Sequence, residues 1–107
     1  MELQHAWEAF YRAVDGAASS EKPLQQRLAD AYVYSIRNLE GVHVPVQIWE
    51  RIEKLGKTLT AKAAVGGEAT IRATTSAMTT EEARELLHEI VSIFTEIAEA
   101  HNGSRPG

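Results

Sequence analysis

Apolar residues recur along this chain at intervals of three and four, the spacing that places them on one face of an α-helix. Four segments show this pattern. The first predicted helix lies near the N-terminus, and we expect it to end within residues 16–20, where Gly and Ser interrupt the pattern. Its apolar positions are Leu3, Trp7, Phe10, Val14 and Ala17.

The second predicted helix has start and stop signals at both ends. Ser20 is a candidate N-cap, Pro23 is tolerated in a first helical turn, and Gly41 stands where a C-cap glycine belongs. The apolar face between them consists of Leu24, Leu28, Ala31, Tyr32, Ile36 and Leu39.

The third and fourth predicted helices begin at Pro45 and after Thr79. Proline is favoured at the first helical position because its missing N–H would be unpaired there. Thr79 and Glu82 form a capping box, in which each side chain accepts a hydrogen bond from the other residue's backbone N–H. The third apolar stripe is Ile48, Ile52, Leu55 and Leu59, and the fourth is Ala83, Leu87, Ile90, Phe94, Ile97 and His101.

Residues 66–78, between the third and fourth predicted helices, do not fit this pattern. After Gly66 and Gly67, the residues from Ala69 to Thr74 alternate between apolar and polar types, which is typical of a strand. We interpret the segment as a long surface crossover that either lies over the helices as a loop or pairs with another chain. Connections of this length are often functional.

The sequence therefore predicts an all-α fold: an antiparallel helical bundle of four main helices with a long crossover between helices 3 and 4. The first two connections are short, which favours antiparallel neighbours. A chain of 107 residues suits one domain, which we place at residues 1–103, with residues 104–107 as a flexible tail.

The composition predicts a cytoplasmic protein. The chain has no cysteine, which excludes disulfides and thiolate metal sites. No apolar run approaches the ~20 residues of a membrane span, and the N-terminus lacks the pattern of a signal peptide. The pattern of residues 23–39 resembles that of a small bacterial protein, and this resemblance implies no activity.

The motifs that carry chemistry are incomplete. Gly56, Lys57 and Thr58 match the end of a phosphate-binding loop, but Arg51 stands at the position of its first glycine. Glu-x-x-His, a spacing found in di-iron helical bundles, occurs three times but off the predicted apolar faces. These pairs are Glu2/His5, Glu40/His43 and Glu85/His88. We therefore predict no catalytic residue, no metal or cofactor site, and a protein that is not an enzyme.

Charge is distributed unevenly around a net value of −4. Residues 81–99 hold six glutamates and one arginine, a net of −5, whereas residues 51–72 hold five cations and two glutamates, a net of +3. These acidic and basic patches could meet within one chain or between chains. A contact between chains would be weakened by salt.

These features together predict a small helical interaction module, a self-associating or partner-docking accessory subunit of a larger assembly. Its protein partner or second copy would contact surplus aromatic, crossover and acidic residues: Tyr11, Tyr34, Trp49, Ile71, Arg72, Glu85, Glu89 and Glu96. The alternative is a small subunit or regulator associated with nucleic acid. It would contact phosphates through Lys54, Lys57, Lys62 and Arg72, without the interleaved aromatics that usually accompany such a surface.

Overall fold

The computed structural model describes residues 3–62 and 67–103. Within these residues the chain forms five α-helices and no strand. The helices are α1 (Gln4–Ser19), α2 (Leu24–Ala31), α3 (Val46–Leu59), α4 (Gly67–Ser76) and α5 (Thr80–Gly103). A π-helical turn, Tyr32–Ile36, continues α2, and a 3₁₀ turn, Gly41–His43, precedes α3. The all-α prediction is confirmed, and the antiparallel order of the helices stays a prediction. Gly66 and the predicted tail at 104–107 lie outside the described residues.

The core is built from one apolar face of each of the predicted helices. Phe10 of α1, Leu28 of α2, Leu59 of α3 and Ile97 of α5 are all fully buried. Burying an aliphatic or aromatic side chain of this size is worth about 1.5–3 kcal/mol relative to leaving it exposed. The predicted stripes therefore supply the main stabilising contacts.

The start of α5 follows the predicted capping box. The Thr79 hydroxyl accepts a hydrogen bond from the Glu82 N–H at 3.0 Å, and a Glu82 carboxylate oxygen accepts one from the Thr79 N–H at 2.9 Å. These bonds satisfy two backbone donors that have no partner within the helix, so the cap fixes where α5 begins.

The predicted boundaries of the second helix are wrong at both ends. α2 begins at Leu24 behind Pro23, while Ser20 ends α1 and accepts a hydrogen bond from the N–H of Lys22. Gly41 opens the 3₁₀ turn instead of closing a helix. That turn has its own reciprocal cap, in which the Glu40 N–H donates to Nδ1 of His43 at 3.1 Å. A Glu-x-x-His pair thus has a structural role here.

The predicted long crossover is not confirmed, because residues 67–76 form α4. Its buried residues fall at helical spacing: Thr70, Ile71, Thr74 and Thr75. The threonine hydroxyls can be buried because they bond within the helix; Thr74 donates to the Thr70 carbonyl at 2.9 Å. Tertiary packing on α2 and these internal bonds outweigh the strand preference of β-branched residues.

Candidate protein-interaction surface

Four aromatic rings meet where the beginning of α1 lies beside the end of α5. Trp7 and Tyr11 stack with ring centroids 5.3 Å apart and planes inclined by 7°. The ring of Phe94 lies 6.0 Å from Trp7 and 6.5 Å from Tyr11, and His101 lies 6.1 Å from Trp7. The side chain of Tyr11 is 49% exposed, so this aromatic cluster reaches the surface.

A groove continues the surface at each end of the aromatic cluster. At one end a groove of about 200 Å³ is lined by Arg27 of α2 and by apolar side chains of α1 and α5, among them Val14, Ala18, Leu87 and Val91. At the other end Trp7 and His101 line a second groove of about 250 Å³ with Gln4 and Asn102. We call the continuous surface the α1–α5 seam: Trp7, Tyr11, Val14, Ala18, Leu87, Val91, Phe94 and His101.

Helical spacing explains how the sequence builds the α1–α5 seam. On α1 its members stand at positions 7, 11, 14 and 18, and on α5 at 87, 91, 94 and 101. Each set forms a stripe beside the core stripe of the same helix. Val91 is 44% exposed although it belongs to this apolar set. The sequence predicts Tyr11 as an interface residue but not its partners, because the stripes combine only when α1 lies beside α5.

Tyr34 lies in a different groove from the α1–α5 seam. It belongs to the π-helical turn and its side chain is 70% exposed. π-Helical turns are rare and occur often at functional sites. The hydroxyl of Tyr34 lies 3.5 Å from Nη2 of Arg72, and its groove also contains Arg12 of α1. Tyr34 and Tyr11 therefore mark two separate surfaces.

The side chain of Trp49 makes packing contacts within the chain. Its indole is half-buried against the core and covers the 3₁₀ turn at Gly41, where an added Cβ would stand 3.2 Å from Nε1. A Cβ at position 41 would therefore require the indole to shift by a few tenths of an ångström. Trp49 thus ties the turn to α3.

Ile71 and Arg72 hold α4 to α2. Ile71 is 1% exposed and packs with Ala29 and Val33, so it is not available as an interface residue in this structure. Arg72 donates from Nε to Glu68 at 2.7 Å and from Nη2 to Asp30 at 2.9 Å. The hydrogen bonds to Glu68 and Asp30 raise the pKa of Arg72, which strengthens its hold on the positive charge.

Asp30 of α2 pairs with Arg72 of α4 and with Lys22, which precedes α2. Burial raises its pKa, but hydrogen bonds from Lys22 and Arg72 outweigh that effect, and the pKa of Asp30 lies below its ordinary value. Both of its oxygens accept a cationic donor. Asp30 is therefore ionised and already compensated at neutral pH.

The acidic and basic patches meet within the chain at Arg51. Its guanidinium donates to both carboxylate oxygens of Glu89, at 3.1 and 2.7 Å, and to Glu96 at 2.6 Å. The hydrogen bonds that Arg51 donates to Glu89 are the largest cause of its raised pKa. Glu85, by contrast, is exposed and has no ion pair within the described ranges. Of the three candidate interface glutamates, two thus serve α3–α5 packing.

The candidate phosphate contacts lie on α3, at residue 62 and on α4. Lys54 and Lys57 are exposed on α3 but line different grooves. Lys62 is exposed, and its backbone N–H donates to the Thr74 hydroxyl at 3.1 Å. Arg72 is engaged by two carboxylates, as described above. Three of the four candidate cations are therefore exposed, the fourth is paired with carboxylates, and contact with phosphates stays a prediction.

The remaining motifs show no cluster of ligands. Within residues 3–62 and 67–103, no three His, Asp or Glu side chains are close enough to hold a metal ion. Glu85 and His88 are both exposed on α5, and the rings of His5 and His43 are inclined by 48° with their centroids 4.5 Å apart. None of the described helices is both long and apolar enough to cross a membrane.

Comparison of the chain with protein-family models, curated proteins and solved structures finds no match.

Proposed function

We propose that this protein is a non-enzymatic interaction module, an antiparallel helical bundle that docks a second copy or another protein on the α1–α5 seam. The observation that carries the proposal is the Trp7–Tyr11–Phe94 contact, which holds large apolar rings together at the surface. Trp and Tyr dominate binding hot spots because they bury much area at little entropic cost.

The shape of the α1–α5 seam suits an amphipathic helix. The span from Trp7 to Ala18 is about 16 Å at the rise of an α-helix, enough for about three turns of a partner helix. Apolar side chains at a spacing of three and four residues on that helix would fill the groove at Val14 and Val91 and cover Tyr11. A self-associating chain could use α1 or α5 of its second copy.

The charges around the α1–α5 seam predict how association through it depends on salt. Glu89 and Glu96 already pair with Arg51 within the chain. We therefore expect the acidic residues of α5 to contribute to such a contact only at its rim. Rim charges affect association rates more than affinity. Association through the α1–α5 seam should therefore persist at high salt, as expected for an apolar contact.

Light scattering on a sizing column tests the self-associating form of the proposal. The wild-type chain should show a mass that rises with concentration at low and high salt. Tyr11→Asp should lower that mass to the monomer, and Val46→Asp is the matched control because Val46 is 65% exposed on α3, outside the seam. Equal masses for both variants would exclude self-association through the seam.

A further inference from the structure

The groove between α1 and the π-helical turn collects hydrogen-bond donors. It has a volume of about 290 Å³, is lined by Gly16 and Arg12, and adjoins the apolar groove of the α1–α5 seam, with which it shares Ala13, Ala17 and Arg27. Five of its lining side chains carry a donor: Arg12, Ser20, Arg27, Tyr34 and Ser35.

Both arginines of this groove have N–H groups with no hydrogen-bond acceptor in the described part of the chain. Arg27 donates through Nε to the Lys22 carbonyl, and no hydrogen bond from its two terminal nitrogens is found in the described part of the chain. Arg12 makes neither an ion pair nor a hydrogen bond within those same residues. Ser20 accepts from the Lys22 N–H, which leaves its own O–H free to donate. Two guanidinium groups thus line one concave surface without a carboxylate of their own.

Asp30 is the carboxylate among the residues that line the groove, and it is already compensated. One oxygen accepts from Lys22 at 3.0 Å and the other from Arg72 at 2.9 Å. Asp30, its two cations and Glu68, which also pairs with Arg72, together carry no net charge. With Arg12 and Arg27 the groove is a basic site on a chain whose net charge is −4.

We propose that this groove binds a small anion that carries a phosphate or carboxylate group. A guanidinium presents paired N–H donors that match either group, and charge-assisted bonds of this kind are about twice as strong as neutral ones. The volume lies near the lower limit for ligand pockets, which selects a small molecule. The exposed ring of Tyr34 forms one wall. Arg27 also borders the apolar groove of the α1–α5 seam, whereas Arg12 lines the anion groove without lining that one.

A purely structural role for Arg27 makes a different prediction. Arg27 lies in the groove beside Ser20, which follows the last residue of α1, and the negative end of a helix dipole attracts a cation. That role would make Arg27→Gln less stable but would give Arg12→Gln no effect on anion binding. The exposed Arg12 on α1 therefore separates the two roles.

The test is a titration of the full-length chain, followed by the NMR shifts of backbone amides, with inorganic phosphate or citrate against chloride at equal ionic strength. We expect saturable shifts around residues 12–35, with an affinity at least tenfold weaker in Arg12→Gln and in Arg27→Gln. Arg37→Gln, an exposed arginine that lines a different groove, is the control. Phosphate binding without citrate binding would assign a phosphate ligand, and the reverse would assign a carboxylate.

Two results would overturn the proposal. One is a set of shifts that follow ionic strength alone, without saturation. The other is an affinity that Arg12→Gln and Arg37→Gln change equally. Melting curves of each variant without anion show whether it folds. If Arg27→Gln does not fold, Arg12→Gln still tests the proposal, because Arg12 is exposed.

Discussion

The indole of Trp7 stacks on the phenol ring of Tyr11 one helical turn away, with centroids 5.3 Å apart. Phe94 from α5 contacts both rings. Because the neighbouring rings already restrict Tyr11, its ordering costs little when a partner covers it, and preorganised groups of this kind favour binding. The packing of Trp7 and Phe94 against Tyr11 thus favours the proposed docking of a partner on this ring.

The capping box at the start of α5 predicts a pH dependence of stability. Hydrogen bonds from the Thr79 backbone and side chain lower the pKa of Glu82 below its ordinary value of about 4.5. A lowered pKa in the folded state contributes stability above that ordinary value, and the contribution is lost as the pH falls through the folded pKa. Wild type should therefore be more stable than Glu82→Gln at pH 6, and the difference should vanish toward pH 3.

Urea denaturation at a series of pH values measures this difference. Thr79→Ala provides a comparison, since it removes the hydroxyl acceptor and should cost about 1 kcal/mol. A Glu82→Gln difference that stays constant from pH 6 to pH 3 would show that the carboxylate charge does not stabilise the start of α5.

Arg51 should not be replaceable by lysine. Its guanidinium reaches Glu89 through two hydrogen bonds and Glu96 through a third, a geometry that a lysine ammonium cannot reproduce. After allowance for solvent screening, we expect Arg51→Lys to cost about 1 kcal/mol of unfolding free energy, and less in high salt. Arg84→Lys is the control, because the exposed Arg84 reaches Glu81 only at 3.7 Å. Equal costs for both substitutions would contradict this role.

Gly56 and Tyr32 should show coupled effects on stability. A Cβ at Gly56 would stand 2.7 Å from the Tyr32 hydroxyl oxygen and 3.7 Å from the ring carbon that bears it. Replacing glycine by alanine within a helix gains about 1 kcal/mol where no clash opposes it. We therefore expect Gly56→Ala to stabilise α3 in the Tyr32→Phe background and to gain little in the wild type.

A double-mutant cycle measured by thermal or chemical unfolding isolates this coupling. Additive effects of Gly56→Ala and Tyr32→Phe would mean that the hydroxyl does not restrict the position.

Much of the fold could be predicted from the sequence, but less of the candidate surface could. Local signals predicted the buried stripe of α3 and the cap at Thr79, because each depends on residues within one helix. α4 was missed because the alternation at residues 69–74 hides the helical spacing of Thr70, Ile71 and Thr74. The buried hydroxyls find their acceptors only once the helix exists.

The α1–α5 seam was only partly predictable for a similar reason. Tyr11 exceeded the single apolar stripe of its helix and was identified, whereas Trp7 and Phe94 fit the stripes of the predicted core. Which of these residues reach the surface depends on how α1 lies against α5, a relation between residues that are far apart in the chain. The internal pairing of Arg51 with Glu89 depends on the same kind of long-range contact.

Photo-crosslinking from position 11 in the native host tests docking on the α1–α5 seam most directly, because it detects a second copy and a different protein alike. Benzoylphenylalanine would replace Tyr11 in one variant and the exposed Val46 in another. We expect one dominant covalent adduct from position 11 and none of comparable yield from position 46. The absence of an adduct at position 11, or the same adducts from both positions, would contradict the account.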